Sequence, residues 1–322
     1  MSQQPDGNMK KSLRFPDWGA AAMVILGAIG LGLLLYRVPL LGYDWYVVFR
    51  PGGETTFWYP GWTRLITDVI AYLPWRWGLA FSNGITVAAV SIATFRESHN
   101  RWGYVAVIMA VLSFPVMILV WDGNVDGWGL LGYLLLPWGV PLLLIKPTIG
   151  AFALFARRSW FIAGLVFAVL SVVIWGWWPA QAIGLHVIGN YKHTAAMGWY
   201  VLGWPIALIG VLMMLLTNRK DPIHLMAAGS FLMPYVFPYH FIFLLPALGR
   251  LESFEQEILW VISWIMILPF AFGSEWSLAG YAFPLAVWYF LKKHSSGEET
   301  WLTELRRLRQ KYLTPKVSGT VN

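Results

Sequence analysis

An acidic residue among aromatic side chains is the feature of this sequence that most suggests chemistry. Asp44 lies in the run Gly-Tyr-Asp-Trp-Tyr-Val-Val-Phe-Arg, residues 42–50, directly after the first long apolar stretch. An aromatic, apolar setting partly desolvates a carboxylate, which raises its pKa and makes it a stronger base. Asp44 is therefore a candidate general base. A solvated loop carboxylate is the equally weighted alternative.

Several cationic or imidazole side chains are candidates for binding a phosphate. Arginine binds phosphate through a bidentate fork, and histidine can donate hydrogen bonds to it. Arg50 has a second interpretation as an anchor to lipid headgroups, and His240 as a packed histidine bonded to a backbone carbonyl. The candidates for phosphate binding are Arg50, Lys192, His193 and His240.

Two aspartates four residues apart raise the question of a metal. Asp122 and Asp126 could bind one, but the intervening Gly123 and Asn124 favour a turn in which the aspartates cap the next helix. The chain has no cysteine, which excludes disulfides, thiolate catalysis and iron–sulfur clusters. We also find no Gly-rich phosphate loop with lysine, HExxH or Gly-x-Ser-x-Gly motif, and we predict neither a metal nor a cofactor.

The composition is that of a membrane protein. Of 322 residues, 58% are hydrophobic and only 12% are charged, about half the share usual in soluble domains. Unbroken apolar runs such as residues 20–35 are typical of helices, which satisfy their backbone hydrogen bonds internally. The sequence therefore predicts an all-α, polytopic bundle of transmembrane helices. The net charge of +7 is spread over loops, so nucleic acid is not expected as a partner.

The predicted bundle has about ten membrane segments. Residues 222–250 could be one long span or two short ones hinged at residues 234–240, and the basic tail, which belongs inside, requires the hinged pair. Residues 137–147, broken by three prolines, allow a pair of half-helices instead of a simple span. Residues 62–73 have the spacing of an interfacial helix, or equally of a packing helix. The apolar stretches are residues 19–41, 77–95, 103–121, 127–145, 161–178, 197–216, 222–250, 258–272 and 276–291.

Basic loops predict the orientation of these segments. Lysine and arginine concentrate before the first span, between the second and third, and in the tail, which places both termini in the cytoplasm of a plasma-membrane protein. We expect residues 1–18 to be a cytoplasmic segment, residues 19–292 the transmembrane domain with an external loop at 42–76, and residues 293–322 a basic amphipathic tail. In that tail Trp301, Leu305, Leu308 and Tyr312 share one helical face, suited to an anionic leaflet.

Four segments in a consistent order resemble the family 87 glycosyltransferases, membrane enzymes of the GT-C class. Residues 42–50, with Phe-Trp-Tyr-Pro at 57–60 and the helix that follows, resemble the first external loop of that family. Gly123-Asn124 is similar to its Gly-Gln, and Lys146-Pro147 to its Lys-Pro. Residues 233–246 resemble its late Pro-Tyr segment. The resemblance covers roughly residues 40–250.

The resemblance implies a GT-C-like fold and a hexosyltransferase. Such an enzyme moves a sugar, often mannose, from a polyprenyl-phosphate lipid to an acceptor on the outer face. Asp44 would be the general base and His240 would face the same cavity, with Arg50, Lys192 and His193 on the donor phosphate. Membrane lipids and other membrane proteins are the further expected partners. Side chains expected to line the substrate site are Trp45, Tyr46, Trp58, Tyr59, Asn124, Tyr235 and Tyr239.

The chain also departs from that family. It is short, Gly-Asn replaces Gly-Gln, and Pro60-Gly61 replaces a Pro-Pro pair. The interval from Gly123 to Lys146 has room for one span or a reduced hairpin. These departures keep open a second interpretation, a non-catalytic GT-C-like subunit of a larger membrane complex. A transporter is a third, although we see no inverted repeat.

Overall fold

The computed structural model describes residues 42–49, 59–98, 103–179, 196–295 and 299–313. Within these residues the fold is all-α, as predicted, with two isolated β-bridges and no β-strand. A π-helical turn, Trp45–Phe49, precedes the first α-helix. The α-helices are α1 Gly61–Ala71, α2 Trp75–Glu97, α3 Gly103–Val111, α4 Phe114–Asp122, α5 Asp126–Leu134, α6 Val140–Leu143, α7 Arg158–Trp175, α8 Trp199–Leu202, α9 Trp204–Leu216, α10 Pro222–Gly229, α11 Ser253–Ile265, α12 Ile267–Phe272, α13 Ser277–Gly280, α14 Ala282–His294 and α15 Trp301–Leu313.

Among the described residues, three helical stretches are long and apolar enough to cross a membrane. They are α2, α7 and the continuous stretch Ser253–Phe272, and α3 with α4 forms a fourth if a pair bent by 44° counts as one span. A hydrocarbon core of about 30 Å needs roughly 20 residues of helix, which these stretches supply. The membrane character predicted from the composition is thus confirmed, whereas an arrangement of ten spans is not. The first predicted span, residues 19–41, lies outside the described residues.

The interval from Gly123 to Lys146, predicted to hold one span or a reduced hairpin, forms a short helical hairpin. Helix α6 packs back against α5, and glycines at the contact allow the close approach. A Cβ at Gly132 would overlap the backbone nitrogen of Leu143, and one at Gly139 would overlap the carbonyl oxygen of Gly132. The hairpin therefore returns the chain from Asp126 to Lys146, beside its own starting point.

Residues 222–250 form the hinged pair that the sequence predicts. Helix α10 and a 3₁₀ turn, Ser230–Leu232, lead to the hinge, and a 3₁₀ helix, Pro238–Arg250, runs back. Prolines at 234 and 238 interrupt the helical hydrogen bonding there, since proline has no N–H to donate. The two legs end together, where Nη1 of Arg250 lies 2.6 Å from Oδ2 of Asp221.

Helix α2 runs from one end of the bundle to the other. Its 23 residues extend about 34 Å at 1.5 Å per residue. Near its start, Gly78 lies against the indole of Trp45, and at its last residue Glu97 pairs with Arg250 at 2.6 Å. We call the end that holds Asp44 the aspartate end, and the end that holds Glu97 and Arg250 the charged end.

Helix α1 is the helix predicted at residues 62–73, and part of its apolar face packs against the bundle. Trp62 and Ile70 are buried against the bundle, but Leu65 and Val69 of the same predicted apolar face are 65% and 73% exposed. One side of α1 therefore packs against the bundle and another side is exposed. The indole of Trp62 contacts three aromatic rings, those of Phe167 and Trp175 on α7 and of Trp178 just after it.

The predicted amphipathic helix of the tail is present as α15. It begins at the charged end, where the backbone N–H of Arg219 donates to the carbonyl oxygen of Glu299 at 3.0 Å. Nζ of Lys220 also lies 2.8 Å from Oε1 of Glu299. Leu305 is 52% exposed, as expected for a helix with an unpacked apolar face. The side chains of Leu308 and Tyr312 lie outside what the structure describes.

Candidate active site

Asp44 is brought to the turn between α4 and α5 by a close backbone approach. The N–H of Gly42 donates to the carbonyl oxygen of Trp121 at 2.7 Å. Gly123 in that turn has φ +71°, and a Cβ there would lie 2.9 Å from the Cα of Gly42 and 2.9 Å from the Cβ of Trp45. Glycine at 123 thus permits both the left-handed backbone and the contact.

Asn124 holds Asp44 directly. Its Nδ2 donates to Oδ2 of Asp44 at 2.6 Å, while its Oδ1 accepts from the backbone N–H of Val125 at 2.7 Å. The backbone N–H can only donate, so the amide oxygen must face it and the NH₂ group must face the carboxylate. The phenol of Tyr59 also donates to Oδ1 of Asn124, at 3.4 Å. The orientation of the asparagine is therefore determined by its neighbours.

Lys146 is enclosed in the same cluster. Its Nζ donates to Oδ2 of Asp126 at 3.2 Å, to the hydroxyl of Tyr239 at 3.2 Å and to Oδ1 of Asn124 at 3.4 Å. It also lies 4.4 Å from the ring centre of Tyr239 and 5.6 Å from that of Tyr59. The lysine side chain is 10% exposed and the aspartate fully buried. A buried ammonium needs such a partner to remain charged.

His240 lies behind Asp126 and is fully buried. Its Nδ1 accepts from the backbone N–H of Phe237 at 2.9 Å, so in the neutral ring the proton is on Nε2. Nε2 lies 3.8 Å from Oδ1 of Asp126. His240 is thus linked to Asp44 through Asp126, Lys146 and Asn124. One interpretation of the sequence was a histidine that donates to a backbone carbonyl. In the structure the ring instead accepts a hydrogen bond from a backbone N–H.

The electrostatic setting makes Asp44 a stronger base than an exposed aspartate. Burial raises the pKa of the Asp44 carboxyl, and this effect exceeds the opposing effects of the Lys146 charge and the Asn124 hydrogen bond. The raised pKa predicted from the aromatic setting is confirmed in direction. The physical cause is desolvation by burial.

The remaining predicted site residues have different surroundings. Trp45 is 1% exposed and packs in the core, whereas Tyr46 is 44% exposed and its ring lies 5.4 Å from that of Trp75. Tyr235 lies edge-on to the His240 ring at 6.1 Å. The positions outside the described residues are Arg50, Trp58, Lys192 and His193.

Two residues of the cluster, Lys146 and Asp126, were not predicted as site residues from the sequence. Asp126 was expected to cap the next helix, but the N-cap of α5 is Val125, with no side-chain cap, and the Asp126 carboxylate pairs with Lys146 instead. A lysine at the end of an apolar run was the available signal, because an ionisable group at membrane depth is costly and tends to be functional.

Neither a metal-binding group nor a match to a known protein identifies a function for this site. In the part of the chain that the structure describes, no group of three or more His, Asp or Glu side chains is placed to hold a metal ion. No protein-family model, curated protein or solved structure matches the chain.

Proposed function

We propose that the protein is an integral membrane glycosyltransferase of the GT-C type. It would transfer a hexose, such as mannose, from a polyprenyl-phosphate lipid to an acceptor hydroxyl on the outer face of the plasma membrane. The observation that carries the proposal is Asp44, a largely buried carboxylate oriented by Asn124 at 2.6 Å within a cluster that contains one fixed cation.

The chemistry assigned to Asp44 is proton removal. The acceptor hydroxyl gives its proton to the carboxylate as its oxygen attacks the anomeric carbon, and the bond from that carbon to the phosphate oxygen breaks with its electron pair. Among the described residues, Asn124 is the one hydrogen-bond donor to Asp44, and it takes Oδ2. Oδ1 is therefore the oxygen assigned to accept the proton.

The donor phosphate requires cations other than Lys146. That ammonium has three hydrogens, and three acceptors already surround it. Asp44 and Asp126 together exceed its single charge, so the described cluster alone would repel a phosphate. This balance supports assigning phosphate binding to Arg50, Lys192 and His193.

Arg50, assigned to the donor phosphate, and His240, buried behind Asp126, give two different kinetic predictions. We expect Arg50→Lys to raise KM for the donor about tenfold, because a single ammonium replaces a bidentate fork. His240→Ala should lower kcat. Steady-state kinetics with varied donor measures both, and Arg64→Lys on the exposed side of α1 is the matched control. Equal KM values for Arg50→Lys and the parent protein would remove Arg50 from the phosphate site.

Reconstituted protein tests the proposed activity. Purified protein in liposomes is given a polyprenyl-phosphate lipid that carries radiolabelled mannose, with a membrane extract as the source of acceptor. Loss of label from the lipid, dependent on Asp44, is the expected result. Folded protein that leaves several such donors unchanged would favour the non-catalytic subunit.

The orientation of the chain can be tested by cysteine labelling, since the sequence has none of its own. We propose that the aspartate end faces outward and both termini face the cytoplasm, because the loops assigned inside carry the basic residues. A cysteine at Thr56 should react with an impermeant maleimide in intact cells, and one at Ser296 should react only after lysis. Both positions lie outside the described residues. The reverse pattern would contradict an outward-facing Asp44.

A further inference from the structure

We propose that the buried pair Lys146–Asp126 is a positioning device that holds Asn124 and, through it, sets the orientation and charge state of Asp44. This inference rests on the proposed role of Asp44 as the base, and it assigns the lysine a role other than substrate binding. Lys146 and Asp126 would act through Asn124 rather than touch the substrate.

The contacts of Lys146 are those of a fixed internal charge. Each of its three acceptors is a protein group, and two aromatic faces flank it. One of those acceptors, Oδ1 of Asn124, belongs to the same amide whose Nδ2 donates to Asp44. A polarised hydrogen bond at one side of an amide strengthens the bond at its other side.

The backbone around Lys146 is also anchored. The hydroxyl of Thr63 donates to the carbonyl oxygen of Ile145 at 2.9 Å, and the indole of Trp62 donates to that of Pro141 at 3.0 Å. Both donors are on α1, so α1 holds the returning leg of the hairpin in place. The lysine closes this hairpin onto the aspartate that begins it.

The charges around Asp44 predict the direction in which each substitution shifts the ionisation of its carboxyl group. Among the described residues, the groups that interact electrostatically with the Asp44 carboxylate are the Lys146 ammonium, the carboxylates of Asp122 and Asp126, and the phenols of Tyr59 and Tyr239. His240 adjoins Asp126. Removing the ammonium makes the ionised Asp44 less favourable, and removing the Asp126 charge makes it more favourable.

The first readout is the pH profile of kcat/KM. Lys146→Met should move its acid limb upward by about one pH unit, and Asp126→Asn should move it downward by a smaller amount. The double variant Lys146→Met/Asp126→Asn removes both charges of the pair, and its acid limb should lie between those of the single variants. Lys220→Met, which removes a lysine at the charged end, should leave the acid limb unchanged.

A second readout does not depend on activity. The chain has seven aspartates, so protein labelled with ¹³C at the aspartate carboxyl carbon gives few signals, and Asp44→Asn identifies the one from Asp44. Its titration midpoint in detergent micelles should shift upward in Lys146→Met and downward in Asp126→Asn. Opposite shifts support the positioning pair whether or not transfer is detected. If the midpoints of all variants agreed within about 0.2 pH units, roughly the precision of a titration, the proposal would be overturned even if Asp44→Asn abolishes transfer.

Discussion

Replacing Asp44 with asparagine is expected to slow sugar transfer by about 10²–10⁴-fold while donor binding changes little. The amide cannot take the acceptor proton at any useful pH. It has nearly the size of the carboxylate, and its oxygen can still accept the hydrogen bond that Asn124 now donates to Oδ2 at 2.6 Å. The variant should therefore fold normally. Single-turnover transfer of the labelled sugar measures the chemical step apart from product release.

Asp68→Asn is the matched control for this experiment, since it makes the same change at an exposed carboxylate on α1. Its transfer rate should be that of the parent protein. Asp122→Asn should have a smaller effect than Asp44→Asn. Near-normal transfer by purified Asp44→Asn would contradict the catalytic role, and the non-catalytic membrane subunit would become the better account.

The pH dependence of the parent protein should have the same origin. Because burial raises the pKa of the Asp44 carboxyl, the base is protonated and inactive at pH values where an exposed aspartate is already ionised. Transfer should therefore rise with pH through a limb that lies above about pH 4, the value for an unperturbed aspartate.

Replacing Arg250 with methionine is expected to destabilise the protein by about 3 kcal/mol, an effect on folding rather than on chemistry. Nε and Nη2 of Arg250 lie 2.7 and 2.6 Å from Oε2 of Glu97, and Nη1 lies 2.6 Å from Oδ2 of Asp221. Asp221 also caps α10, accepting from the backbone N–H of Ile223 at 3.0 Å. Without the guanidinium, two mostly buried carboxylates lose their cation. The ion pairs that join α2, α10 and the 3₁₀ helix Pro238–Arg250 are then lost.

Denaturation in detergent micelles, followed by circular dichroism, measures this loss of stability. Lys220→Met serves as the control, because Lys220 pairs with Glu299 at 2.8 Å but its side chain is 63% exposed. An exposed pair contributes less than about 1 kcal/mol. If the two variants were equally stable, the Arg250 network would not be what holds the charged end together.

The sequence alone predicts the all-α class of the fold, the hinge within residues 222–250 and the desolvation of Asp44. Apolar runs near 20 residues predict membrane helices, because a helix satisfies its own backbone hydrogen bonds wherever it lies. The basic tail predicts the hinged pair at residues 222–250, because its place in the cytoplasm requires two legs rather than one span. The aromatic neighbours of Asp44 predict its desolvation. Each of these inferences depends on composition and order along the chain, and none requires knowing which distant residues come into contact.

Which residues come together in the site depends on the tertiary structure. Asn124 and Asp44 are 80 residues apart in the sequence, and Lys146 and Tyr239 are 93 apart. Lys146 reaches Asp126 only because α6 turns back on α5, where Gly132 and Gly139 allow the two backbones to touch. An apolar run with three prolines is compatible with a span or a hairpin, and the choice depends on packing against α1 and α2. The partner of a buried charge follows from that packing, so no local pattern specifies it.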